Sequence, residues 1–78
     1  MFFCHQKRKI IGIEGMSCNH CKEKIETNLE SLSEVNKAKV DLNKKIAIVY
    51  YDDTLDNLQL QTTIEKLGYT VTGIKEVK

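Results

Sequence analysis

The sequence predicts an α+β sandwich in which a four-stranded antiparallel sheet carries two helices on one face. Three observations lead there. Apolar residues alternate with a period of two in four short segments, and they recur at three- and four-residue steps in two others. The six segments follow one another as strand, helix, strand, strand, helix, strand, which is the ferredoxin-like βαββαβ order. No composition shift or Pro/Gly-rich linker divides the 78 residues, so one domain over 1–78 is expected, with 1–6 as a flexible tail. A chain of this size, 41% hydrophobic, builds one small core and leaves little room for a deep substrate pocket. That favours a surface binding module over an enzyme.

The first strand is read from Lys9 to Glu14, with Ile11 and Ile13 on the buried side and Ile10, Gly12 and Glu14 on the other. After a cysteine-containing loop, Cys21, Ile25, Leu29 and Leu32 mark the apolar side of an amphipathic helix of about three turns. Val35 to Leu42 alternates with Ala38, Val40 and Leu42 inward. A turn at Asn43-Lys44 leads into a strand from Lys45 to Asp52, with Ala47, Val49 and Tyr51 buried. Asp53 or Thr54 is the expected cap of the second helix, whose Leu60, Ile64 and Leu67 face the core. Gly68 supplies its left-handed end. A last strand, Tyr69 to Lys75, is rich in β-branched residues. The opposite sheet face, with Lys37, Lys39, Asp41 and Tyr50, should meet solvent.

Twelve Lys and Arg stand against eleven Asp and Glu, so the whole molecule exerts no strong pull on nucleic acid or on an anionic bilayer. Any charge-guided partner must be recognised by a local patch. Phe2 and Phe3 precede the basic Lys7-Arg8-Lys9 run, the reverse of a signal peptide's order, and no apolar run approaches the roughly 20 residues of a transmembrane helix. A cytoplasmic protein is expected, without membrane insertion and with its three cysteines reduced.

The stretch Gly15-Met16-Ser17-Cys18-Asn19-His20-Cys21 places two thiols three residues apart, between the first strand and the first helix. Cys-x-x-Cys serves zinc sites, thioredoxin-like redox centres and soft-metal carriers alike. Structural zinc normally takes four ligands, and no second pair is evident; the βαββαβ order does not match a thioredoxin-like scaffold. Two thiolates suit an ion that prefers sulfur and accepts few ligands: Cu(I) first, with Ag(I) and Hg(II) also fitting. Cys21 in the first helical turn, and Cys18 just before it, would lie where free amides and the helix dipole favour negative charge.

At these residues, and at Leu67-Gly68-Tyr69, the chain resembles the heavy-metal-associated domain family, whose Gly-Met-x-Cys-x-x-Cys loop joins the first strand to the first helix. The resemblance covers about Lys7 to Lys75. It implies Cu(I) carriage with Cys18 and Cys21 as ligands and no catalysis. Met16-Ser17-Cys18-Asn19-His20-Cys21 together with Tyr69 is similar to the free-standing bacterial copper chaperones of that family. Those hand the ion to metal-binding domains of copper-transporting P-type ATPases. A regulatory domain of such an ATPase and a mercury-binding protein are the alternatives, with a thiol redox protein more remote.

The resemblance also implies roles around the ligands. Met16 carries a soft thioether but is expected to pack under the loop. His20 either tunes the thiolates or binds a second copper in a shared cluster, or is simply an exposed residue at a helix start. Tyr69 could shield the metal or donate a hydrogen bond to a thiolate while half-buried at the start of the last strand. Lys22 and Lys24 are the basic side chains nearest the loop and are candidates for partner docking. Cys4 and His5 depart from the family pattern. The apo protein is expected as a monomer, with a copper-bridged dimer as an alternative when loaded.

Overall fold

In the structure, a computed structural model that describes residues 7–52 and 54–77, six elements follow in the expected order. They are β1 (Lys7–Glu14), α1 (Asn19–Glu30), β2 (Lys37–Asp41), β3 (Ile46–Tyr51), α2 (Asn57–Glu65) and β4 (Thr70–Val77). The strands form one antiparallel sheet in the order β2-β3-β1-β4, so β1 and β3 are central. Cys4, His5 and the rest of the 1–6 segment lie outside the described residues, as does Asp53.

Alternation decides which face is covered. Ile11, Ile13, Ala47, Val49 and Tyr51 all point to one side and are buried there, against Ile25 and Leu29 of α1 and Leu60 and Ile64 of α2. Full burial of one such aliphatic side chain contributes on the order of 1.5–3 kcal/mol, so these contacts are the main source of stability. The other face carries Lys37, Lys39, Asp41 and Tyr50, as expected.

Several boundaries differ from the sequence reading, each for a local reason. The expected cap at Asp53 or Thr54 is overturned. Asp56 caps α2, its carboxylate accepting from the Leu58 amide at 2.9 Å, and Thr54 stays in the preceding loop. The regular part of α2 stops at Glu65, short of Gly68. Residues 66–68 continue as a turn, with amides donating to Thr62, Ile64 and Glu65 carbonyls, and Gly68 takes φ of 97°. The hairpin turn runs from Leu42 to Lys45. Asp41 organises it by accepting from the Asn43 and Lys44 amides, and Lys45 itself adopts a positive φ of 58°.

Lys9 is the main surprise, because it points into the covered side and is only 7% exposed. Its ammonium donates to the Leu55 carbonyl and to Asn57 Oδ1 and sits 5.5 Å from the centroid of the Tyr51 ring. The Tyr51 hydroxyl donates to Glu76 at 2.9 Å, and burial first, then that carboxylate, pushes the phenol pKa up. This polar cluster ties β1, β3, β4 and the start of α2 together at the end of β1 opposite the cysteine loop.

The two sheet edges are treated differently. The outward amides of β2 at Val40 and Ala38 are taken by the Glu26 and Glu30 carboxylates of α1, at 2.8 and 3.1 Å. Those two residues are four apart, so both lie on one side of the helix. On the other edge, β4 bulges at Thr72, which has no partner between the Gly12–Gly73 and Ile13–Val71 pairs. Gly12 makes room for that bulge: a Cβ there would collide with Thr72 Oγ1.

Gly12→Ala should therefore lower stability by about 1–3 kcal/mol, the cost of an overpacked contact. Urea denaturation checks it, and Gly12→Ala combined with Thr72→Ala should recover most of the loss.

Candidate metal centre

β1 ends at Glu14 and the chain turns through Gly15, whose φ of 102° favours glycine. A Cβ at this position would also stand 3.3 Å from Cδ1 of the Tyr69 ring. The next residue, Met16, turns into the core and is 8% exposed, while Ser17 and Cys18 on either side of the turn to α1 face solvent. The loop is thus anchored by one apolar side chain and leaves its polar atoms outside.

Cys18 is the N-cap of α1, with extended backbone and no side-chain capping bond. Its carbonyl accepts from the Cys21 and Lys22 amides at 3.1 and 3.3 Å. Cys21 therefore falls in the first turn, half-buried against the core, and its sulfur lies 3.6 Å from that of Cys18. Both thiols are free. At this separation one ion off the S–S line can bond both sulfurs, since a metal–thiolate bond is about 2.3 Å. A linear S–metal–S unit needs the sulfurs about 4.6 Å apart, reached by rotating the exposed Cys18 side chain.

The site is electrostatically prepared for negative charge. The Tyr69 phenol donates a hydrogen bond to the Cys21 sulfur, and the Ser17 backbone amide adds another, bringing the Cys21 pKa from 9.0 down to about 7. The same contact raises the Tyr69 pKa, because losing the phenolic proton would set two anions together. Cys21 is thus more readily ionised than an unperturbed thiol.

Cys18, Cys21 and Tyr69 are brought together, with Met16 beneath them. His20 is exposed on the first turn of α1. Among the described residues no cluster of three or more Cys, His, Asp and Glu side chains is placed to hold a metal. Lys22 is half-buried in a shallow groove with Glu26, Lys39 and Asp41, whereas Lys24 is exposed. The sequence reading did not anticipate the Ser17 amide. It is a backbone group whose role depends on the loop conformation and has no residue-type signal.

A two-thiol loop on this sandwich defines a class of small soft-metal-binding domains, and residues 10–70 match the model of the heavy-metal-associated domain. The chain belongs to that family. It is 42% identical over 64 residues to the copper chaperone CopZ of Staphylococcus haemolyticus, covering 81% of this chain and 94% of that protein. Among solved structures, a CopZ metallochaperone superposes with a TM-score of 0.79 at 38% identity, over 83% of this chain and 98% of the other. The Cu(I)-loaded N-terminal domain of a potential copper-translocating P-type ATPase from Bacillus subtilis also gives 0.79, at 27% identity, over 94% and 92%.

Tyr69→Phe removes the donor that contributes most to the lowered Cys21 pKa. In the reduced apo protein the midpoint for thiolate formation, followed by ultraviolet absorbance or by alkylation rate against pH, should move up from about 7. The thiolate fraction at neutral pH should fall accordingly.

Proposed function

We propose that this protein is a Cu(I) chaperone that binds the ion between Cys18 and Cys21 and passes it to the metal-binding domain of a copper-transporting P-type ATPase. The observation that carries this reading is the pair of free thiols 3.6 Å apart at the start of α1, Cys18 exposed and Cys21 half-buried with a lowered pKa. The CopZ relatives and the Cu(I)-loaded ATPase domain of the same fold support it. Copper is the cargo, and a carrier is the class in preference to a catalyst.

Two thiolates around one Cu(I) leave a net charge of minus one. The amides at the start of α1 and the Tyr69 hydroxyl stabilise that charge without closing the site. Transfer follows from exposure. A thiolate of the acceptor bonds the ion, one protein sulfur is released and takes up a proton, and a second exchange completes the handover through a three-coordinate intermediate. An acceptor of the same fold presents an equivalent pair, so donor and acceptor differ little in bond energy and the ion can move either way with concentration. Ag(I) and Hg(II) share the preference for sulfur and fit the same pair. Met16 supports the loop from below, and His20 remains free to modify the loaded site.

The reading places the protein in the cytoplasm, where thiols stay reduced. No helix among the described residues is long and apolar enough to cross a membrane. Lys22 and Lys24 are the docking residues of this proposal, and they act on encounter rate more than on affinity.

Cu(I) titration of the reduced protein against a chromophoric chelator should give tight one-to-one binding, lost when Cys18→Ser and Cys21→Ser are combined. Binding that survives the double change overturns the assignment. Lys22→Glu with Lys24→Glu should leave that affinity unchanged but slow transfer to an acidic acceptor domain at low salt, measured by stopped flow. The difference should fade as salt screens the charges.

A further inference from the structure

The face of the sheet turned away from the helices carries an ordered arrangement of charge that the metal site does not use. Pairing across the strands sets Lys37, Tyr50, Arg8 and Val77 in one row, and Lys39, Ile48, Ile10 and Lys75 in the next. Ile46 and Gly12 continue the middle of this face toward the cysteine loop. Arg8, Lys37, Lys39 and Lys75 are exposed, and Ile10, Ile46, Ile48, Tyr50 and Val77 are half-buried. A low apolar strip is therefore bordered by cations on both edge strands. Within the strands, the acids of this face, Asp41 and Glu14, lie at the end nearer the loop, with Asp41 engaged in the hairpin turn, while the exposed Asp52 follows β3 at the other end.

Strands stand about 4.8 Å apart, so Lys39 and Lys75 are separated by about 14 Å across the sheet, a flat cationic platform in a molecule of net charge +1. We infer that this face adsorbs reversibly to the anionic headgroups of a lipid bilayer. Charge complementarity and shape argue for that occupant. The cations are spread over a plane instead of lining a groove, and among the described residues Tyr50 is the one aromatic of this face, where a single-stranded nucleic acid would need several stacking rings.

Four basic residues near an anionic surface give weak, salt-sensitive attachment, suited to rapid release. With this face down, the loop that follows β1 lies at the flank of the molecule and stays open. The inference is independent of which metal the thiols hold.

The test is sedimentation of the full reduced chain with vesicles of phosphatidylcholine containing phosphatidylglycerol, and with phosphatidylcholine alone, at low ionic strength. Binding to the anionic vesicles and not to the neutral ones is expected. Lys37→Glu with Lys39→Glu should weaken it about tenfold or more. Lys24→Glu with Lys66→Glu, the same charge change on the helical side, should leave it nearly unaffected. Arg8→Gln with Lys75→Gln provides a second variant of the face should the first fail to fold by circular dichroism, and it should also weaken binding. No binding to anionic vesicles overturns the inference. Equal loss in the two charge-reversed variants, which would make net charge the cause, overturns it too, as does retention by immobilised oligothymidine without retention by vesicles.

Discussion

Burial of the Met16 side chain is the constraint on which the rest of the site depends. A loop that must present two reactive sulfurs to solvent contributes almost nothing to its own stability, and ordering its backbone costs about 1–2 kcal/mol per residue. Met16, inserted into the core beneath Gly15 and Ser17, attaches the loop to the sandwich by apolar contact. An unbranched thioether tolerates an irregular gap at the end of a sheet better than a branched side chain would.

The chemistry of the pair follows from how little surrounds it. Exposure keeps the desolvation penalty on a thiolate small, and the lowered Cys21 pKa arises from donors aimed at one sulfur, Tyr69 and the Ser17 amide. A deeply buried pair would hold a metal more tightly but would have to open to release it. Here stabilisation of charge and access for an incoming thiolate coexist, which is the combination that a carrier requires.

The fold around the site shows the same economy in its polar groups. Glu26 and Glu30 lie on the side of α1 that faces β2, where their carboxylates close an edge that could otherwise pair with another strand. The opposite edge is broken by the bulge at Thr72. Lys9 is buried but surrounded by a carbonyl, an amide oxygen and an aromatic ring, so its charge is not left unanswered. The helix-covered face is thereby committed to stability, while the open face keeps its cations free for surface interactions.

Much of this was legible in the sequence. Periods of two and of three to four residues located all six elements and nearly all of the buried positions from Ile11 to Ile64, because burial on one face imposes a repeating apolar pattern that survives in one dimension. The spacing of Cys18 and Cys21 likewise guaranteed that both would lie at one helix start, since that depends only on local geometry. What the sequence could not supply were relations between residues far apart along the chain. Asp56 in place of Asp53 or Thr54 as cap, the burial of Lys9 under Leu55, and the closure of β2 by Glu26 all depend on where the chain returns in space. The sequence by itself determined the element order, the covered face and the two thiols. Only the tertiary structure decided that the phenol of Tyr69 reaches the sulfur of Cys21, because a hydrogen bond requires positions within a few tenths of an ångström, and no pattern of residue types encodes a distance across the fold.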